Sequence, residues 1–301
     1  MDTGAFPQWE QLWQEGRAGW HGLGTVPRID RSDGNMGMMT LPRVFLCLVL
    51  AGIVVGGSVL IADRLPTRPA VAPSTAAEVA AVTPVRGLDV SNWQGNVNWT
   101  DVKRQRPAFA YIKATLGTDF RNQYFSQQYK GATAIGLIRG AYHFALPLRS
   151  GGARQADFFV DHGGGWSRDG RTLPGALDIE HNPYPDRRGR AEYGKNECYG
   201  MTPSAMRDWI RAFLTRYHQR TGRHAVLYTT TSWWKTCTGN DREFAATSPL
   251  WIARYQSAVV GPLPAGWSKY TFWQHSSTGP FPGDSNVFTG TAADLRKLAL
   301  G

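Results

Sequence analysis

From Val85 onward the chain repeats one pattern: a short apolar run, then a longer stretch in which apolar residues recur at helical spacing. The apolar runs fall near 85–90, 108–114, 137–144, 175–180, 224–230, 250–255 and 270–275 and read as strands. The clearest helix opens with Thr202 as N-cap and Pro203 at the first helical position, and places Met206, Ile210, Phe213, Leu214 and Tyr217 on one face. Helices also fit between the first five strands, whereas the spacing after Tyr228 is too short for regular crossovers. The expectation is an α/β fold, an incomplete TIM-like barrel of about five β/α units followed by short strands. No internal repeat is visible.

Upstream of Val85 the pattern changes. Residues 44–62 are uncharged and almost wholly apolar, led by Arg43 and followed by Asp63 and Arg64, long enough to cross a bilayer. The run reads as a membrane segment within 40–64, either an uncleaved signal anchor or a signal peptide with a late cleavage candidate at Val79-Ala80-Ala81. Residues 1–39 lack periodicity, and Met36, Met38 or Met39 would each serve as an ordinary start. Residues 65–84, rich in Pro, Ala, Thr and Val, read as a semi-extended spacer, which leaves 85–301 as one catalytic domain.

Charge and cysteine usage narrow the compartment and the partner. The chain has 33 Lys and Arg against 23 Asp and Glu. The first 82 residues hold 6 and 7 of these, so the rest carries about +11. A basic domain points to a polyanion, but the basic residues are scattered and no nucleic-acid-binding signature accompanies them, so nucleic acid is not the expected partner. An anionic bacterial wall satisfies the same electrostatics. Cys47 lies in the apolar run, leaving Cys198 and Cys237 as a pair for a disulfide in an exported chain. His143, His162, His181, His218, His224 and His275 show no metal-ligand spacing, so neither a metal nor another cofactor is expected.

The sharpest chemical feature is Gly175-Ala176-Leu177-Asp178-Ile179-Glu180. In a strand, Asp178 and Glu180 point to one face, roughly 6.6 Å apart along the chain. Two carboxylates forced together and partly desolvated do not both ionise easily, so one can serve as a proton donor near neutral pH. Glycoside hydrolysis needs such an acid beside a second carboxylate. Asp89, Tyr142, Asp178, Glu180 and Tyr228 all fall at carboxyl ends of the expected strands, where a parallel barrel assembles its active site.

Further blocks surround that pair. They are Arg86-Gly87-Leu88-Asp89-Val90-Ser91 with Trp93-Gln94-Gly95, Ala110-Tyr111-Ile112-Lys113-Ala114-Thr115 before Gly117-Thr118, and Arg139-Gly140-Ala141-Tyr142-His143-Phe144. After the Asp178 and Glu180 triplet come Leu250-Trp251-Ile252-Ala253-Arg254-Tyr255 and Phe272-Trp273-Gln274-His275. In this order, from about Val85 to Gly301, the segment resembles glycoside hydrolase family 25, the Chalaropsis-type muramidases, and most of all their actinobacterial members. The resemblance implies hydrolysis of peptidoglycan at the β-1,4 bond between N-acetylmuramic acid and N-acetylglucosamine, with the substrate's own 2-acetamido group assisting.

Under that resemblance Glu180 is the general acid and then base, and Asp178 orients the acetamido group and stabilises the cation it forms. Asp89 and Asp284 are supporting acids, the latter in Gly283-Asp284-Ser285-Asn286-Val287-Phe288, where a turn-forming role after Pro282-Gly283 is the other reading. Tyr142, Tyr228, Trp273, Trp93 and Tyr255 are the expected sugar platforms. Leu116 stands where the family's motif would carry Glu. A chitinase-like hydrolase of another amino-sugar polymer and an inactive wall-binding module are the alternatives. The first lacks the upstream acids of its motif, with Ala176 and Leu173 in their places, and the second would commonly have lost one of Asp89, Asp178 and Glu180. A monomer is expected, outside the cytoplasm, held by the 44–62 run or released.

Overall fold

The computed structural model describes residues 84–183, 197–255 and 257–301. The apolar run at 44–62, Cys47, the extension and nearly all of the spacer lie outside the described residues. Among the described residues no helix is long and apolar enough to cross a membrane. The elements in chain order are β1 (Val85–Val90), α1 (Trp99–Arg104), β2 (Phe109–Leu116), β3 (Phe120–Arg121), α2 (Phe125–Ala134), β4 (Ile138–Phe144), α3 (Gly152–Phe159) and β5 (Ala176–Asp178). Then come α4 (Pro203–Thr221), β6 (Val226–Thr229), α5 (Thr231–Thr238), β7 (Leu250–Ala253), β8 (Phe272–Ser276), β9 (Asp284–Phe288) and α6 (Ala292–Leu300).

Eight of these strands close on one another in the order β1, β2, β4, β5, β6, β7, β8, β9 and back to β1, with β3 appended to β2. Around the closed barrel all contacts are parallel except the two made by β9, which runs antiparallel between β8 and β1, and the appended β3 is antiparallel to β2. Five β/α units followed by short strands are present, as the spacing suggested, yet the sheet itself is complete. Among the described residues no helix links β7 to β8 or β8 to β9. The closing strand β9 escaped sequence reading because its inward positions Asp284 and Asn286 are polar, so the strand shows no apolar alternation.

Register fixes which side chains fill the barrel. Across the ladders Asp89, Tyr111, Tyr142, Asp178, Tyr228, Trp251, Gln274 and Asn286 share the inward parity. The lower layers are aromatic, with Tyr111 stacked on Trp251 at 4.8 Å and Phe109 tilted against Phe272 at 5.1 Å. Gly140 makes room for this filling, since a Cβ there would stand 2.4 Å from the Tyr111 ring. Helix α6 closes the lower end: Leu295 and Ala299 are fully buried in the same cluster as Phe109, Ile138 and Phe288. The barrel is therefore open only at the carboxyl ends of its parallel strands.

Outside the first five strands the helices bury a second core. Helix α4 is capped by Thr202, whose hydroxyl accepts from Ala205 N, and ends at Gly222 in the left-handed region. It buries Met206, Ile210, Phe213, Leu214 and Tyr217 as expected, and Trp209 as well. Tyr217 ties this layer to the site strand, because its hydroxyl accepts from Gly175 N at 2.6 Å and donates to Gly164 O at 3.1 Å.

Candidate active site

Strand β5 is short, and an acid stands at its end. Asp178 ends the strand, in register with Phe144 on one side and Tyr228 on the other. The ladder runs slightly further, with Ile179 N donating to Tyr228 O at 3.0 Å and Ala145 N donating to Asp178 O at 2.8 Å. Ile179 packs outward into the helix-side core. Glu180, expected within the strand, lies just past it and is 3 % exposed, against 6 % for Asp178. His181, which sequence reading treated as ordinary, places Nδ1 3.2 Å from Glu180 Oε2.

A covalent brace holds the segment that follows. Cys198 and Cys237 form a disulfide with Cα atoms 5.2 Å apart. It ties the turn at 197–200 to α5, and Asn182 N and Trp233 Nε1 both donate to Glu197 O there, at 3.1 and 3.2 Å. The chain leaving Glu180 is thus pinned within two residues of the acid.

Across the bowl, Asp89 sits on a lattice of neutral hydrogen bonds. Its Oδ2 accepts from Gln274 Nε2 and from Asn286 Nδ2, each at 2.7 Å. Gln274 Oε1 accepts from the Tyr228 hydroxyl at 2.8 Å and the Tyr255 hydroxyl at 2.5 Å, while Asn286 Oδ1 accepts from Trp251 Nε1 at 2.8 Å. The hydroxyl and indole donors fix which way both amides face, so each offers its NH2 to Asp89. Asp284 stands opposite Asp89 across the β1–β9 pair, and its Oδ2 is 3.4 Å from the Tyr255 hydroxyl.

Asp89, Asp178 and Asp284 thus hold inward positions at one end of the barrel, and the buried Glu180 follows Asp178 by two residues. The expected aromatics divide. Tyr142 and Tyr228 face inward but are 8 % and 4 % exposed, packed edge-on against Trp251 at 6.1 and 4.9 Å. Tyr255 is half-buried beside Gln274, and Trp93 is half-buried in the turn Asn92–Gln94 directly after β1. Trp273 does not join them: on β8 it lies between the inward Phe272 and Gln274, so it points to the outer wall. Leu116 is 3 % exposed in the helix-side core, so the departure from the motif is absorbed by packing.

Sequence reading passed over Gln274, Asn286 and Lys113. The signal was available for the first, because period two from the apolar Phe272 puts Gln274 inside and Trp273 outside. Lys113 is 6 % exposed, with Nζ 5.0 Å from the centre of the Phe144 ring. His143, on the opposite face of β4, is fully buried between Thr115 and Gln155. Burial first, and the Lys113 charge in addition, lower its pKa to about 4.

Comparison with known proteins identifies the family. The model of Glycosyl hydrolases family 25 matches residues 88–284. Lysozyme M1 of Streptomyces globisporus is 50 % identical over 221 residues, 71 % of each chain. N,O-diacetylmuramidase of Chalaropsis sp is 44 % identical over 220 residues, covering 72 % of this chain and 100 % of that one. The solved muramidase of Acremonium alcalophilum superposes with a TM-score of 0.67 at 52 % identity, covering 72 % of this chain and 99 % of that one. The chain belongs to glycoside hydrolase family 25, as an enzyme of the lysozyme and muramidase type.

Proposed function

We propose a residue-level course for the reaction of this muramidase, the hydrolysis of peptidoglycan between N-acetylmuramic acid and N-acetylglucosamine. Glu180 gives its proton to the glycosidic oxygen as the bond to the anomeric carbon breaks. The acetamido oxygen of the same sugar closes on that carbon from the other side, and Asp178 holds the acetamido N–H and balances the positive charge of the cyclised intermediate. Water then adds to the anomeric carbon, giving one proton back to Glu180 as the ring reopens. Asp89 and Asp284, across the bowl, orient the sugar and the water. The observation that carries this reading is the buried pair of acids at the open end of the barrel, Asp178 in register at the end of β5 and Glu180 two residues on.

Two carboxylates from one strand end approach the sugar from the same side, which suits acetamido steering better than attack from the face opposite the leaving group. The family match and the retained acids favour this course over a chitinase-like hydrolase or an inactive module. A domain outside the cytoplasm, meeting anionic wall polymers as a monomer, fits the disulfide and the charge of about +11. The apolar run would either anchor it or direct its release.

Digestion of purified peptidoglycan, with the new reducing end identified by mass spectrometry, should yield N-acetylmuramic acid; N-acetylglucosamine at that end would sink the assignment. Asp178→Asn should impair turnover strongly, and a thiazoline mimic of the cyclised intermediate should inhibit. A covalent glycosyl adduct trapped on residue 178 with a fluorinated substrate would replace assistance by direct attack.

A further inference from the structure

Among the described residues no helix lies between β7 and β9 in the chain, and the outer wall there carries aromatic side chains. On β8 Trp273 holds the outward position, and at the bulge between Gln274 and Ser276 the His275 ring lies on the same side, against Trp273. Trp273 is half-buried, donates its indole N–H to Arg254 O at 2.9 Å, and has Tyr270 at 6.1 Å and His275 at 5.6 Å on its edges. On the next strands the outward row continues through Val287 to Arg86, whose exposed guanidinium lies 5.5 Å from the centre of the Phe281 ring. Arg254 and Lys269 are exposed beside it, and no Asp or Glu occurs from 244 to 283. An aromatic strip flanked by positive charge therefore runs along the wall.

Its upper end is the rim of the catalytic bowl. His275 and Ser276 follow Gln274, which reaches inward to Asp89, and Ser276 pairs with Ser285, the neighbour of Asp284. A polymer lying in the bowl and leaving over β8 meets this strip next.

Resting on the muramidase reading, we propose that the Tyr270–Trp273–His275 strip is a second glycan-contact surface, which holds the peptidoglycan strand where it runs out of the bowl over β8. Sugar rings present apolar C–H faces that pack on aromatic rings, as other apolar surfaces do. The lactyl and peptide carboxylates of the strand suit Arg86, Arg254 and Lys269. Burial, and then the Arg86 charge, lower the His275 pKa, which keeps this ring neutral and able to share a hydrogen bond with a hydroxyl near neutral pH.

The test uses residues 84–301, a unit that folds alone because the Chalaropsis relative is matched over its whole length. In a Glu180→Gln background, Tyr270→Ala with His275→Ala should weaken co-sedimentation with insoluble peptidoglycan about five- to tenfold. In the active enzyme the same pair should lower the ratio of turnover on the polymer to turnover on a short soluble muropeptide oligomer. Lys269→Glu, at an exposed position with little bearing on folding, should weaken the same binding in a salt-dependent manner. Unchanged binding in both variants, or an equal loss on polymer and oligomer, would overturn the proposal. So would a concentration-dependent dimer that Tyr270→Ala abolishes, since the strip would then be covered by a second copy. Failure of the wild type on both substrates would instead strike the muramidase reading.

Discussion

The two halves of this barrel do different work with different means. From β1 to β6 each strand is backed by a helix, and the acids Asp178 and Glu180 project from strand ends whose outer faces are buried in a thick core. From β7 to β9 no described helix links one strand to the next, α6 coming only after β9 to close the lower end, and the contribution is a set of neutral amides and hydroxyls that hold Asp89 from the side. Under the proposed course, the charge that moves protons stands on the braced half. Groups that only orient stand on the thin one, where a strand needs little more than its two ladders.

The largest effect should come from the braced half. Glu180→Gln preserves shape and removes the transferable proton, so turnover should fall about 10² to 10⁴-fold while folding and wall binding persist. Near wild-type turnover would move the acid elsewhere and dissolve the division of labour. Next in size is the brace after Glu180. The Cys198–Cys237 bridge spans 39 positions, and its removal should cost about 4 kcal/mol as an upper figure from chain entropy. Thermal unfolding with and without reductant reads this directly. The loss should reach activity as well, since the turn that the bridge holds fixes Asn182. A reduced domain with unaltered melting would show that the helix-side core holds the turn unaided.

A third, smaller effect separates the halves by pH. His143 belongs to the helix-side core, and its pKa is lowered to about 4 from an ordinary value near 6.5. The unfolded chain takes up this proton as pH falls below 6.5 while the folded chain does not. Stability is therefore complete above that pH and is lost progressively down to about 4, where the loss levels off at about 3 kcal/mol. Denaturation by urea between pH 7 and 4 should show this slope, and His143→Asn should flatten it whatever its effect on stability at pH 7. An unchanged slope in the variant would place the proton uptake elsewhere.

The same division explains what could be read from sequence. In the braced half, apolar runs alternate with helical periodicity because each strand must bury its outer face under a helix. That pattern exposed five β/α units and, with them, the strand-end positions of Asp89, Asp178 and Glu180. On the thin half the outer faces have no described helix to match, and the upper inward positions Gln274, Asp284 and Asn286 are polar, so β9 left no apolar signature and Trp273 was taken for a bowl residue. Tyr142 and Tyr228 pose a different question. Aromatic type alone does not distinguish a ring that fills the barrel floor from one that meets a sugar, and only closure of the sheet around Trp251 buries them.

The smallest expected effect tests whether the thin half acts as a unit. Tyr228 and Tyr255 both donate to Gln274 Oε1, and Gln274 in turn donates to Asp89. Either hydroxyl alone can keep the amide oriented. Tyr228→Phe or Tyr255→Phe should therefore each cost about 1 kcal/mol or less. Losing both leaves a buried carbonyl oxygen with neither donor, and the amide is then free to turn its oxygen towards Asp89. The double variant should exceed the sum of the singles by about 0.5 kcal/mol or more in unfolding free energy, and turnover should fall beyond the product of the single effects. Additivity in both measurements would mean that Asp89 is held by Asn286 and the strand backbone, with Gln274 a bystander. The two halves would then differ in helix cover alone.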